Sequence, residues 1–158
     1  STDDLGRVLE SPILSFQTAP PPGTPFAFCV ISDTQGNPEV SGALAEAAFD
    51  LRPSFALHPG DLVDTGSVKE QWVAEFFRSM KPLYERVAFF PVLGNHEQDA
   101  RYFYDYMSLP DPEYYATAIY GDLQLFLLDS NRDVGPGSEQ YAWLERELGR
   151  SNALWKLV

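Results

Sequence analysis

Cysteine is nearly absent from this chain. The single Cys29 excludes an internal disulfide framework and a cysteine-based zinc cluster. Basic residues are also scarce. Eleven Lys and Arg stand against 23 Asp and Glu, giving a formal net charge of -12 and a pI near 4.4. Such a surface repels a nucleic-acid backbone and counts against a sequence-independent grip on DNA or RNA. It counts equally against a polybasic membrane anchor. No apolar run approaches the roughly 20 residues of a transmembrane helix. The first ten residues lack the basic-then-apolar order of a signal peptide. The chain does not begin with Met, so nothing about targeting follows. There is no internal repeat. What remains is 158 residues, 44% hydrophobic and 14% aromatic. That fits one domain of ordinary size, long enough to hide about two-thirds of its unfolded surface.

Three regions differ in texture. Residues 13–18 read as one strand, with Leu14 and Phe16 alternating against Ile13, Ser15 and Gln17. Residues 19–25 (APPPGTP) are a stiff extended linker, because prolines so dense fit neither a helix nor a central strand. The expected division is therefore 1–25, the tail of an upstream domain plus linker, and 26–158, the main domain. An edge strand added to the main sheet is the other reading of 13–18.

From residue 26 onward, apolar runs alternate with helical patterns. Residues 26–32 (FAFCVIS) are a continuous apolar strand of the kind buried on both faces of a parallel sheet. Residues 54–58 and 86–93 read as further strands. Residues 39–51 and 67–80 read as amphipathic helices, the second with Trp72, Phe76 and Met80 on one face. Residues 115–120 and 123–129 form an expected hairpin about Gly121-Asp122. Residues 138–148 predict a helix presenting Tyr141, Leu144 and Leu148, and residues 154–158 a last strand. This alternation argues a layered α/β fold.

Three polar motifs each follow a strand: Asp33-Thr34-Gln35, Gly60-Asp61-Leu62-Val63-Asp64 and Gly94-Asn95-His96-Glu97. In open α/β sheets the carboxyl ends of strands form the ligand crevice. Asp, Gln, Asn and His delivered there suit hard to borderline cations such as Mg, Mn, Fe or Zn. Gly60 and Gly94 permit the tight turns that such delivery needs. Taken singly, Asp-x-Gln also fits a turn or helix cap, and Gly-Asp-x-x-Asp a capped turn. Asn and His side by side after an apolar strand are the sharper signal. His58 reads as structural rather than as a ligand, and Cys29 as a small core residue. Tyr102, Phe103, Tyr104 and Tyr106 suit either a cleft wall or helix packing.

The order and strand context of the three motifs resemble the calcineurin-like metallophosphoesterase superfamily. Its pattern is Asp-x-His, Gly-Asp-x-x-Asp, Gly-Asn-His-Glu/Asp, then a later His and a Gly-His-x-His. Tyr114-Tyr115, Tyr120-Gly121-Asp122, Leu128-Asp129-Ser130 and Gln140-Tyr141-Ala142-Trp143-Leu144 resemble the purple-acid-phosphatase-like branch. The resemblance implies a layered α/β/β/α fold, here incomplete at the C-terminus. It implies a phosphoesterase acting on small phosphomonoesters or phosphodiesters by attack of metal-bound hydroxide at a two-metal centre. The ions would be divalent or trivalent Fe, Mn or Zn. Asp33 and Gln35 would hold the first metal and Asp61 would bridge both. Asn95 would hold the second and lie near a phosphate oxygen. His96 would face the substrate as leaving-group acid or transition-state donor, with its imidazole oriented by Asp64, and Glu97 would support the loop.

The departures carry expectations of their own. Gln35 replaces the commoner His. Asp64 stands where purple acid phosphatases carry a coloured tyrosinate, so the centre should be colourless. Thr65 stands where protein Ser/Thr phosphatases carry a phosphate-binding Arg. The two later histidine motifs do not occur within these 158 residues, so this stretch alone should be inactive. A nuclease, and a metal-site remnant used as a binding module, are the rival readings. A secreted or periplasmic setting is implied only by the resemblance. Oligomeric state is not legible.

Overall fold

The computed structural model describes residues 4–8, 10, 13–14 and 16–158. Two three-stranded sheets carry the fold. The first is wholly parallel, in the order β1 (Cys29–Val30), β2 (Phe55–His58), β3 (Ala88–Pro91). The second joins an antiparallel hairpin, β4 (Ala116–Tyr120) and β5 (Leu123–Leu127), to β6 (Trp155–Leu157), which runs parallel to β5. Helices α1 (Pro38–Asp50), α2 (Lys69–Gln71), α3 (Lys81–Tyr84) and α4 (Arg101–Tyr106) connect the strands up to the hairpin, and α5 (Glu139–Arg150) links β5 to β6.

The period-two alternation of β2 separates the layers. Phe55 and Leu57 join Ala116, Tyr120, Leu123, Leu125 and Leu127 in a core between the two sheets. Ala56, on the opposite face, joins Ala45, Trp72, Phe76, Met80, Leu83 and Phe103 beneath the helices. On the far side, α5 lays Trp143 against Phe126, ring centroids 6.4 Å apart. The result is the layered α/β/β/α arrangement expected from the sequence. Among the described residues, no helix is long and apolar enough to cross a membrane.

Local chemistry explains the helix starts. Asn37 caps α1 by accepting from Val40 N at 3.3 Å, and Pro38 supplies the pre-set first-turn φ. Ser138 Oγ caps α5 by accepting from Tyr141 N at 3.1 Å.

Several expectations need correction. Only Cys29 and Val30 of residues 26–32 join the ladder, and Val30 is 55% exposed. β1 is an edge strand whose Cys29 side is partly buried and whose Val30 side is open, so its apolar run is not buried on both faces. The helix expected over 67–80 begins at Lys69 and continues as a π-helix, Trp72–Arg78. Trp72, Phe76 and Met80 are nonetheless all buried. In α5 the buried position is Gln140, whereas Tyr141 is 38% exposed. The described part of 13–18 forms no strand, and Ser15 lies outside the described residues. The proline-rich stretch meets the second sheet: Gly23 N donates to Asp122 Oδ2 at 2.7 Å, and Phe26 packs edge-on against Tyr120.

Candidate metal centre

Because β1, β2 and β3 are parallel, their C-terminal ends and following loops emerge on one side. The three motifs meet there through the main chain. Asp33 N donates to the Gly60 carbonyl at 3.3 Å, and Thr34 N to the Asp61 carbonyl at 3.0 Å. His96 N donates to Asp61 Oδ1 at 3.1 Å. Asp33 and Asp61 both adopt left-handed backbone, φ 56° and 59°. Such conformations cost about 1–3 kcal/mol each and persist where surrounding structure over-determines them. The glycines make the approach possible. A Cβ on Gly60 would stand 2.6 Å from Gly94 Cα, and one on Gly94 would stand 2.1 Å from Asp61 Oδ1.

Glu97 ties the second and third motifs together. It is fully buried, and its two oxygens accept from four main-chain N–H groups. Oε2 takes Asp61 N at 2.9 Å and Gly94 N at 2.7 Å, while Oε1 takes Leu62 N at 2.7 Å and Val63 N at 3.2 Å. Burial pushes the Glu97 pKa up, and the four amides pull it back.

Asp64 meets the His96 ring mainly through its main chain. His96 Nδ1 lies 2.7 Å from the Asp64 main-chain carbonyl and 3.5 Å from the Asp64 carboxylate. The carbonyl can only accept, so Nδ1 carries the proton and Nε2 is left for other partners. The ring is half-exposed. That carbonyl bond, then the charges of Asp61, Asp64 and Glu97, raise the His96 pKa against the opposing effect of burial.

Gln35 Oε1 is buried with no hydrogen-bond donor. No Lys or Arg among the described residues pairs with Asp33 or Asp61. An orphaned carbonyl oxygen and two carboxylates without a counter-charge are the donor set a cation would complete. Among the described residues, no cluster of three or more His, Cys, Asp or Glu side chains is arranged to hold a metal. Here two of the four candidate donors are the amides Gln35 and Asn95.

Asn95 is exposed and lines a cleft of about 410 Å³ with Gln98, Asp99, Asp129, Asn131 and Arg132. Arg132 was not among the residues the sequence singled out. Its Nε pairs with Asp129 at 3.0 Å and its Nη2 with Asp99 at 2.6 Å, and its guanidinium lies 4.0 Å from the Tyr114 ring centre. Tyr104 also hydrogen-bonds Asp99 at this edge. The rest of the aromatic cluster packs: Phe103 is fully buried, and Tyr106 meets Trp72 edge-on at 5.5 Å. A lone Arg three residues after Asp129 gives no signal in sequence, because its other partners, Asp99 and Tyr114, come from distant segments.

The fold and these three loops define a calcineurin-like phosphoesterase domain, and the chain belongs to that family: its family model matches residues 26–158. Within it, the chain is similar to purple acid phosphatases. It is 31% identical over 150 residues to a probable purple acid phosphatase 20 of Arabidopsis thaliana, covering 85% of this chain and 34% of that protein. It superposes on the purple acid phosphatase PPD1 from yellow lupin (Lupinus luteus) seeds with a TM-score of 0.72 at 15% identity, covering 87% of this chain and 31% of that one. The chain thus spans about a third of the length of either relative.

Proposed function

We propose that the protein is a metal-dependent phosphoesterase whose centre is built on Asp33, Gln35, Asp61 and Asn95. The carrying observation is the unpartnered, buried Gln35 Oε1 in a loop hydrogen-bonded to that of Asp61. Asp33 and Gln35 hold the first metal, Asp61 bridges, and Asn95 holds the second at the mouth of the cleft. When bound, two Fe, Mn or Zn ions stabilise charge on the attacking and leaving oxygens and lower the pKa of water. The chain's own contribution is positional. Gly60 and Gly94 let Asp61 approach the third motif. His96, whose pKa is raised by its bond to the Asp64 carbonyl, is the general acid that gives a proton to the leaving oxygen of a small phosphomonoester or phosphodiester. The Asp64 carbonyl fixes that ring. Asp64 in place of tyrosinate makes the centre colourless. In the proline-rich linker, Gly23 docks on Asp122 of the β4–β5 turn.

The test is His96→Ala assayed on an aryl phosphate, with metal content measured alongside. Turnover should fall by about two to four powers of ten while metal is retained, as for loss of a general acid. Unchanged turnover in a fully metallated variant would remove His96 from the reaction.

A further inference from the structure

The Asp33-Thr34-Gln35 motif has a residue between its two candidate ligands, and it is the most heavily bonded of the three. Thr34 is buried. Its main-chain N donates to the Asp61 carbonyl at 3.0 Å, and its carbonyl accepts from Ser41 Oγ in α1 at 2.7 Å. Its hydroxyl donates to the Leu62 carbonyl at 3.3 Å and lies 3.0 Å from His58 Nε2. A hydroxyl has one proton, so toward His58 it accepts, and His58 carries its proton on Nε2. His58 is fully buried at the end of β2, against the rings of Phe76 and Phe89, and its Nδ1 has no hydrogen-bond partner. Nδ1 therefore remains unprotonated, since a second N–H there would be a buried donor without an acceptor. His58 is anchored from behind, because its carbonyl accepts from Val92 N at 2.8 Å just beyond β3. One imidazole thus links the ends of β2 and β3 to the middle of the first motif, where Asp33 and Asp61 are both held in left-handed backbone.

We infer that Thr34 and His58 are positioning residues: an imidazole–hydroxyl latch that fixes Asp33 and Gln35 relative to Asp61, and so sets the affinity of the first metal. This rests on the proposed reading of Asp33, Gln35 and Asp61 as ligands. Neither latch residue touches metal or substrate. Groups that hold ligands in place typically govern metal affinity by 10–100-fold.

The experiment compares wild type, Thr34→Val and Thr34→Ser of the full-length protein. Valine keeps the shape and removes the hydroxyl, while serine keeps the hydroxyl. Zn2+ and Mn2+ are titrated calorimetrically, nitrogen-15 NMR reports the His58 tautomer, and thermal midpoints are recorded. In wild type the His58 Nε2–H tautomer is expected at neutral pH. Thr34→Val should lose about 10–100-fold in affinity for the tighter metal and shift the Nε2 resonance. Thr34→Ser should restore both, although it removes the methyl that packing alone would need. Equal affinity in wild type and Thr34→Val would overturn the latch, as would a protonated Nδ1 in wild type. So would equal losses in the valine and serine variants. A wild type that shows the Nε2–H tautomer but binds no metal would overturn the ligand reading instead.

Discussion

Two loops border the candidate centre, and each closes around a buried carboxylate, but they satisfy the charge in different ways. Glu97, after β3, meets four main-chain N–H groups and no cation. Three of those groups, on Asp61, Leu62 and Val63, come from more than thirty residues away. Asp129, after β5, accepts from Asn131 N at 2.9 Å, Asn131 Nδ2 at 2.8 Å and Arg132 Nε at 3.0 Å, all within three residues of itself. Gln140 clasps its main chain from α5. Glu97 is thus a tertiary staple, whose loss would loosen two motifs otherwise hydrogen-bonded only through His96. Asp129 is a local loop former whose chief counter-charge, Arg132, has a second carboxylate in Asp99. Converging amide dipoles can stabilise a buried anion without a counter-ion, and such a site loses most when the anion is removed.

The largest expected effect follows directly. Glu97→Ala should destabilise the protein by about 4 kcal/mol or more, since each buried N–H left without an acceptor costs about 1–3 kcal/mol. Glu97→Gln should recover part of this, because one acceptor oxygen remains while the amide NH2 faces other donors. Urea unfolding at pH 7 measures both. A cost within the roughly 0.5 kcal/mol of ordinary surface changes would dissolve the distinction between the loops.

Protonation offers a second probe of the same knot. Burial lowers the His58 pKa to about 4, with the charge of Asp33 opposing. The folded state therefore binds fewer protons than the unfolded chain between about 6.5 and about 4. Stability from this residue is complete above the unfolded pKa and is lost as pH falls toward the folded one. By pH 4 the loss should approach about 3 kcal/mol. Comparing unfolding of wild type and His58→Gln across this range cancels the carboxylates common to both. Identical pH slopes would count against a buried neutral His58.

Asp129→Asn should cost less, about 1–2 kcal/mol, because the amide oxygen still accepts and Arg132 keeps Asp99. A loss as large as that of Glu97→Ala would mean that both carboxylates staple distant segments.

The same contrast explains what the sequence could disclose. β2 and the β4–β5 hairpin follow their patterns closely because period and turn residues are local, whereas α1 and α5 form where expected but leave Val40, Leu44 and Tyr141 exposed. β1 departs from its pattern, since an apolar run carries no mark of whether one strand or two will flank it. The π-helical Trp72–Arg78 is equally silent, because Trp72 and Phe76 share a face in either helix. The three motifs are legible in the sequence as candidate ligand loops, and the structure brings their main chains together. Their supports were readable only in part. Glu97 stood out as a loop former, but its four partners are main-chain amides, which every sequence has. Arg132 and the Thr34–His58 contact depend on pairs 24 to 33 residues apart, and no spacing rule marks them.

The smallest expected effect concerns Asp64. On the reading that its carboxylate orients His96, its loss should lower turnover in the same direction as loss of the histidine, less severely. The geometry assigns that work to its main-chain carbonyl, 2.7 Å from Nδ1, while the carboxylate stands 3.5 Å away and is 53% exposed. A half-exposed pair at that separation contributes little, about 0–1 kcal/mol, after screening by solvent. Asp64→Asn keeps the carbonyl and the side-chain shape and removes only the charge. Turnover on an aryl phosphate should therefore fall by no more than about fivefold, since a tenfold change needs about 1.4 kcal/mol. The Nδ1–H tautomer of His96 should persist in nitrogen-15 NMR. Proline at the same position would test the carbonyl only by distorting the loop, because the Asp64 N–H is itself bonded to Glu75 at 2.8 Å. The asparagine variant is thus the clean probe. A drop approaching that of His96→Ala, with tautomer and metal content unchanged, would return the orienting role to the carboxylate.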